Sequence, residues 1–391
     1  MRTFALAVGL AGVLLSVPLS SSQGEILAMM NYESKTPEAL AALNLNASTD
    51  RREGIAIIDV DPESANFGKI IADIPMPPTQ VVHHIFYDRA MTKAYITSLG
   101  GPSLQVIDMA RFPYRVETID VEGCAMGEDV VFDEANRRWY LTCMQSGHVF
   151  VGDVATDGVL ARIDLPGSYP HGIGISTEAN RIIVTSTVSG DLKDPHEFVS
   201  IVDATTYELL GTKRLSLKSE GSGEAPVEIL FAPGADRPTA YVTNIFGGTL
   251  WTLTWNEANG DFDARQVFDF GSIDAGVALE MYFNEARDRL YVTTGKPGQL
   301  HVFDVTDIGD PKHLKAIPAG EGAHHVAITK DERYGFVQNA LLNLPGLSDG
   351  GVTVVDLRTG KVVASMDTLK NAGLNPNSIV LLPEWNSLAG H

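Results

Sequence analysis

One unit recurs along this chain, and its recurrence restricts the fold more than any local pattern does. Each copy opens on a doublet that is usually polar and runs through a short apolar strand and a turn. It ends in a second strand that often closes on Tyr-Val-Thr. The copies open at His83-His84, Glu128-Asp129, His171-Gly172, Val227-Glu228, Leu279-Glu280 and His324-His325. Their second residues lie 43 to 56 residues apart, the spacing of four-stranded propeller blades. Such units bury their faces by stacking on one another, and a stack leaves exposed sheet edges unless it closes.

The termini supply the closure. A seventh copy starts at Asn377-Ser378 and provides one strand only, whereas residues 25–33, 54–61 and 69–76 read as three strands with no first strand before them. Joining the two predicts an all-β, seven-bladed β-propeller over residues 24–391, sealed by pairing the N-terminal strands with the C-terminal one. Segments 101–109, 147–154, 198–204, 248–255, 298–305 and 350–357 carry alternating or continuous apolar residues and read as third strands. Helix is expected only as short excursions at 37–45 and around 367–372. No composition break marks a second domain.

Composition agrees with a turn-rich β protein: 44% apolar residues, 37 Gly and 20 Pro in 391 residues. A net charge of −20 with no basic run argues against nucleic acid and anionic membrane surfaces as partners. Residues 1–23 read as a secretory signal: Arg2, an apolar run from Phe4 to Leu19, then Ser20-Ser21-Ser22. The alternative, a retained anchor, needs roughly 20 apolar residues, more than this run has. The expected location is the periplasm or the exterior, with no membrane attachment after cleavage.

Cys124 and Cys143 are the only cysteines. They fall before the first strand and at the end of the second strand of one blade, points that antiparallel pairing brings to the same end of a sheet. A disulfide is one reading; a Cys-Met group with Met126 and Met144 near a metal is the other.

On a closed ring, first strands line the central channel and their opening residues converge at one mouth. The convergent set is His83, His84, Glu128, Asp129, His171, Glu228, Glu280, His324 and His325. Hydrogen-bonded channel polarity would account for any one of these residues. Five histidines at one level, of ten in the chain, point instead to a metal site. Imidazoles suit copper, iron or zinc, and carboxylates alone would suit calcium. His83, His84, His171, His324 and His325 are the candidate ligands. Glu128 and Asp129 are placed to accept their outer N–H groups, and Glu228 or Glu280 to accept a proton. His148, His196, His301 and His313 fall elsewhere in the repeat, His391 is the last residue, and Asp194, Glu220 and Glu224 read as solvated loop surface.

One segment adds a resemblance. Asp59-Val60-Asp61-Pro62, then Pro75-Met76-Pro77, then His83-His84 is similar to the selenium-binding protein family, which includes copper-dependent methanethiol oxidases. Val302 to Asp307, followed by Asp310-Pro311, resembles a late blade of that family. The resemblance implies a propeller with copper at His83 and His84. The strand Ile26–Ser34 lacks the family's reactive cysteine, so the resemblance does not carry the substrate with it.

Gly172-Ile173-Gly174 opens a propeller strand and lacks the third glycine of a dinucleotide turn, and no GxSxG, HExxH or phosphate loop occurs. The reading is therefore an exported copper-dependent oxidoreductase acting on a small molecule, with sulfur compounds foremost. The alternatives are a non-catalytic metal-binding or protein-interaction propeller, and a lactonase-like metal hydrolase. By analogy of ring geometry alone, the histidine set is also similar to the iron site of carotenoid cleavage oxygenases.

Overall fold

The computed structural model describes residues 25–36 and 51–387. The expected signal segment at 1–23, the expected helix at 37–45 and His391 lie outside them. Seven four-stranded antiparallel sheets form the ring. In six of them the chain runs outward from the channel through four consecutive strands. The first blade, for example, consists of Val82–Tyr87, Lys93–Ser98, Ser103–Asp108 and Val116–Asp120. The innermost strands of the next five blades are Gly127–Phe132, Pro170–Ser176, Pro226–Phe231, Gly276–Phe283 and Ala323–Ile328.

The seventh blade is built from both ends of the chain. Its innermost strand, Leu374–Leu381, pairs antiparallel with Leu27–Ser34, in register Ala28 with Leu381 and Met30 with Ile379. Glu53–Asp59 and Ile70–Met76 complete it. The ring thus closes by strand pairing, as the repeat predicts. Every anticipated third strand is present, and the stretch around 367–372 contains the short helix Thr368–Asn371. A 3₁₀ turn at Phe270–Ile273, capped by Asp269, was not readable from the repeat.

Seven apolar clusters occupy the seven interfaces between blades. Strand periodicity explains how one blade serves two neighbours, because successive side chains point to opposite faces. In the closing blade Met29, Ile55 and Ile57 pack toward the first blade, while Met30, Ala56 and Ile58 pack toward the sixth. Inner strands therefore carry apolar residues on both faces and are largely buried. Each outermost strand shows solvent one side, as in Ile70, Leu160, Leu210 and Val363, all exposed. Cys124 and Cys143 are joined in a disulfide with Cα atoms 5.3 Å apart, which leaves no thiol there for a metal.

Candidate metal centre

The doublets are β-bulges. In the first blade Val82 pairs with Ser98 and Ile85 with Ile96, so His83 and His84 together face the single residue Thr97. The same two-against-one register recurs at Glu128-Asp129 against Thr142, His171-Gly172 against Thr185, Val227-Glu228 against Thr243, Leu279-Glu280 against Thr293, and His324-His325 against Gln338. A bulge leaves one residue outside the ladder and turns side chains that a regular strand would send to opposite faces. Both doublet side chains are thereby freed from the inter-blade packing.

The residue opposite each bulge takes up the unladdered amide. Thr97, Thr142, Thr185, Thr243 and Thr293 accept the N–H of His84, Asp129, Gly172, Glu228 and Glu280 through Oγ1 at 3.0, 2.9, 2.8, 3.3 and 3.1 Å. The Gln338 side chain accepts that of His325 at 3.1 Å. The hydroxyl proton serves the next blade: Thr142 donates to the His171 carbonyl at 2.6 Å, Thr185 to Val227 at 2.8 Å and Thr243 to Leu279 at 2.6 Å. Asn31 Nδ2 closes the belt on the His83 carbonyl at 2.6 Å. The threonine of the recurring Tyr-Val-Thr thus fixes the doublets and stitches neighbouring blades, a role beyond the strand packing its sequence suggests. Gly172 is required sterically, since a Cβ there would lie 2.5 Å from the Val227 carbonyl.

These bulges bring the histidines and glutamates together. His83 Nε2 lies 3.0 Å from Glu128 Oε2, and His171 Nε2 lies 3.6 Å from the same oxygen. His171 Nδ1 lies 3.6 Å from Glu228 Oε1. Across the channel His324 Nε2 is 3.2 Å from Glu280 Oε1, and His325 Nδ1 is 3.9 Å from Glu280 Oε2. His84 sits between the two sets, its ring centroid 3.8 Å from that of His83 and 4.5 Å from that of His325. It is 1% exposed, and neither ring nitrogen has a hydrogen-bond partner. One ligand atom from each of His84, Glu280, His324 and His325 falls within 4.8 Å of the others, and the same is true of His83, His84 and Glu128.

Electrostatics keep two of the imidazoles, His84 and His171, in the form that binds metals. Burial, reinforced by the surrounding histidines, holds His84 well below the usual histidine range. Burial also lowers His171, against the opposing charge of Glu128. Burial and the charge of Glu280 push Asp129 and Glu228 well above the usual carboxylate range. Glu128 goes the other way: burial would raise it, but His83 and His171 outweigh burial and hold it low. Neutral imidazole beside carboxylate is a metal-ligand set.

Some positions differ from the sequence reading. Asp129 turns to the next blade, where its Oδ2 accepts the Ile173 N–H at 3.1 Å. Glu280 stands among the histidines themselves. Glu224 is buried and not solvated: it pairs with Lys218 at 2.9 Å, while Glu220 and Asp194 are exposed. His301 and His313 bond each other at 3.1 Å, outside the channel. Tyr282 was not singled out by sequence. Its hydroxyl accepts the Val326 N–H at 3.2 Å and lies 3.2 Å from His325 Nδ1, fixing that ring. Its position two residues after Glu280 on the same strand was the available signal, because period 2 returns it to the same side. Toward the other end of the first strands, a cavity of about 420 Å³ is lined by Val131, Ile173, Leu230, Phe231, Met281 and Tyr282, among others.

No family model and no curated protein matches the sequence. Solved structures do match the fold. A hypothetical selenium-binding protein from Sulfolobus tokodaii superposes with a TM-score of 0.73 at 12% identity, over 93% of this chain and 95% of that one. The periplasmic gluconolactonase of Pseudomonas aeruginosa gives 0.62 at 12% identity, over 91% and 99%. Hydrazine synthase of Kuenenia stuttgartiensis gives 0.58 at 14%, over 78% and 91%. At these identities the likeness is one of fold. Among the described residues no helix is long and apolar enough to cross a membrane.

Proposed function

We propose that this propeller binds a redox-active transition metal, copper foremost, at the channel mouth and oxidises a small substrate there, with reduced sulfur compounds the first class to test. The observation that carries the reading is His84: a fully buried imidazole with both nitrogens unpartnered, facing His324, His325 and Glu280. A buried polar ring is expected to be hydrogen-bonded, and an unsatisfied one costs roughly 1–3 kcal/mol for each missing partner. A metal bound at one of the nitrogens removes that nitrogen's share of the cost. The donor set also fits: three imidazoles and one carboxylate suit copper, iron or zinc better than calcium, which takes oxygen ligands.

His84, His324, His325 and Glu280 would hold the ion, which when bound would supply one-electron chemistry and an open position for a small ligand. The chain's own contribution is orientation and proton handling. Tyr282 sets the His325 ring from behind. Glu228, driven toward its protonated form by burial, stands 3.6 Å from His171 Nδ1 and can exchange a proton with that ring. The cavity at the far end of the first strands, lined by apolar residues together with Arg89, Glu134 and Glu178, offers a small molecule a space that Tyr282 links to the histidines.

The gluconolactonase among the neighbours favours a second reading, in which the same carboxylates and a divalent ion polarise a lactone carbonyl for hydrolysis. One comparison separates the two. Protein reconstituted with copper, iron, zinc or calcium is assayed for oxygen uptake with methanethiol and larger thiols, and for hydrolysis of gluconolactone. Copper- or iron-dependent oxygen uptake supports oxidation. Lactone hydrolysis with zinc or calcium and no oxygen uptake supports the hydrolase. Full metal loading with neither activity would return the site to metal carriage.

A further inference from the structure

We infer that the channel mouth is built for two cations, with the His84 ring bridging them. The inference rests on the metal reading above and adds to it a second site and a shared ligand. His84 belongs to both convergent sets: with Glu280, His324 and His325 on one side, and with His83 and Glu128 on the other. A single ion would use one of its nitrogens and leave the other buried without a partner, as both are now. Two ions use both.

The spacing on the second side is that of ligands to a common ion. Two atoms bound at about 2.0–2.1 Å on a tetrahedron lie roughly 3.3 Å apart. His83 Nε2 lies 3.0 Å from Glu128 Oε2. On the first side His324 Nε2 lies 3.2 Å from Glu280 Oε1. The two sets share no carboxylate, so each would have its own anion.

Charge favours a pair. Glu128, Asp129 and Glu228 are 3%, 1% and 2% exposed, and no lysine or arginine forms an ion pair with these three among the described residues. Buried anions need compensation by counter-charge, metal or proton. Glu280 stands in one set and Glu128 in the other, so each cation would meet one carboxylate of its own. In proton terms, the first ion replaces no ring proton of neutral His84, whose free nitrogen it takes. The second displaces the remaining N–H proton to water and leaves a bridging imidazolate. Metal binding is then accompanied by proton release.

The test is metal stoichiometry with a spin readout. Metal-stripped protein is titrated with copper(II), the bound copper is quantified per chain, and its electron paramagnetic resonance is recorded. The inference predicts two coppers per chain, with the signal depressed by coupling through the His84 ring. Glu128→Gln and His325→Ala should each retain one copper with the full signal of an isolated ion. Circular dichroism verifies that each variant is folded. One copper per wild-type chain, unaffected by Glu128→Gln, would overturn the second site and leave the single-metal reading standing. Two coppers with uncoupled spins would overturn the bridge. No bound copper would overturn both the inference and the reading on which it rests.

Discussion

The Thr97 hydroxyl accepts the backbone N–H of His84 at 3.0 Å, and through that bond the second strand of a blade sets the aim of a channel histidine. Thr97 is fully buried, so no water can replace it. Replacing it with valine keeps the shape and removes the acceptor. Thr97→Val should destabilise the fold by about 1–3 kcal/mol and weaken metal binding about 10–100-fold. Thr97→Ser should restore most of both. Thermal unfolding and metal competition titration on the three proteins check this; unchanged metal affinity in Thr97→Val would mean that the bulge holds without its cap.

Tyr282 predicts a similar effect by a different route. Tyr282→Phe removes the partner of the Val326 N–H and of His325 Nδ1 while keeping the ring in its inter-blade packing. Metal affinity should fall about 10–100-fold, as for loss of an outer hydrogen-bond partner of a metal ligand, with only a small change in unfolding temperature. A competition titration against a chelator reads it directly.

Ring closure predicts intolerance of C-terminal truncation. Deleting residues 374–391 removes the innermost strand of the closing blade and leaves unpaired edges on Leu27–Ser34. It also strips Lys35, whose buried ammonium donates to Asn375, of that partner. Aggregation or loss of cooperative unfolding is expected, and a truncated protein with wild-type unfolding would contradict the closure.

Acid stability has a named contributor outside the channel. Burial would raise Glu197, but the Arg214 guanidinium at 2.6 Å, the Ser222 hydroxyl and the Gly221 amide outweigh it and hold the carboxyl at about 2, below its ordinary 4.5. A depressed folded value contributes stability above the unfolded value and loses it as pH falls through the folded one. Glu197→Gln should therefore be less stable than wild type at pH 6, and the difference should shrink between pH 4.5 and 2. Denaturant titrations across that range measure it.

Much of the fold was legible because the repeat is long and each inner strand carries apolar residues on both faces. His84, Glu280 and His325 share a position within their repeats, so their convergence followed once the ring was inferred. Outermost strands such as Val159–Asp164 and Lys361–Met366 were less legible, since solvent on one side leaves their pattern weak. The bulge was hidden because two-against-one register is a property of a strand pair, and a single sequence shows only one partner at a time. For the same reason the threonines looked like ordinary strand residues, and Tyr282, which acts on a histidine in the next blade, was marked only by its place two residues after Glu280 on the same strand. Glu224 read as loop surface because its burial depends on the conformation of the loop itself, where it pairs with the nearby Lys218 in a contact without a periodic trace.

The most direct test of the account is the metal content of three proteins purified under identical conditions: wild type, His84→Ala and His313→Ala. His313 bonds His301 away from the channel and serves as the control. Elemental analysis after reconstitution with copper should find stoichiometric metal in wild type and His313→Ala, and a loss of at least half of it in His84→Ala, which removes the ligand common to both convergent sets. Equal metal in all three proteins, or none in any, would contradict a metal centre at His84 and return the channel histidines to hydrogen-bonded packing.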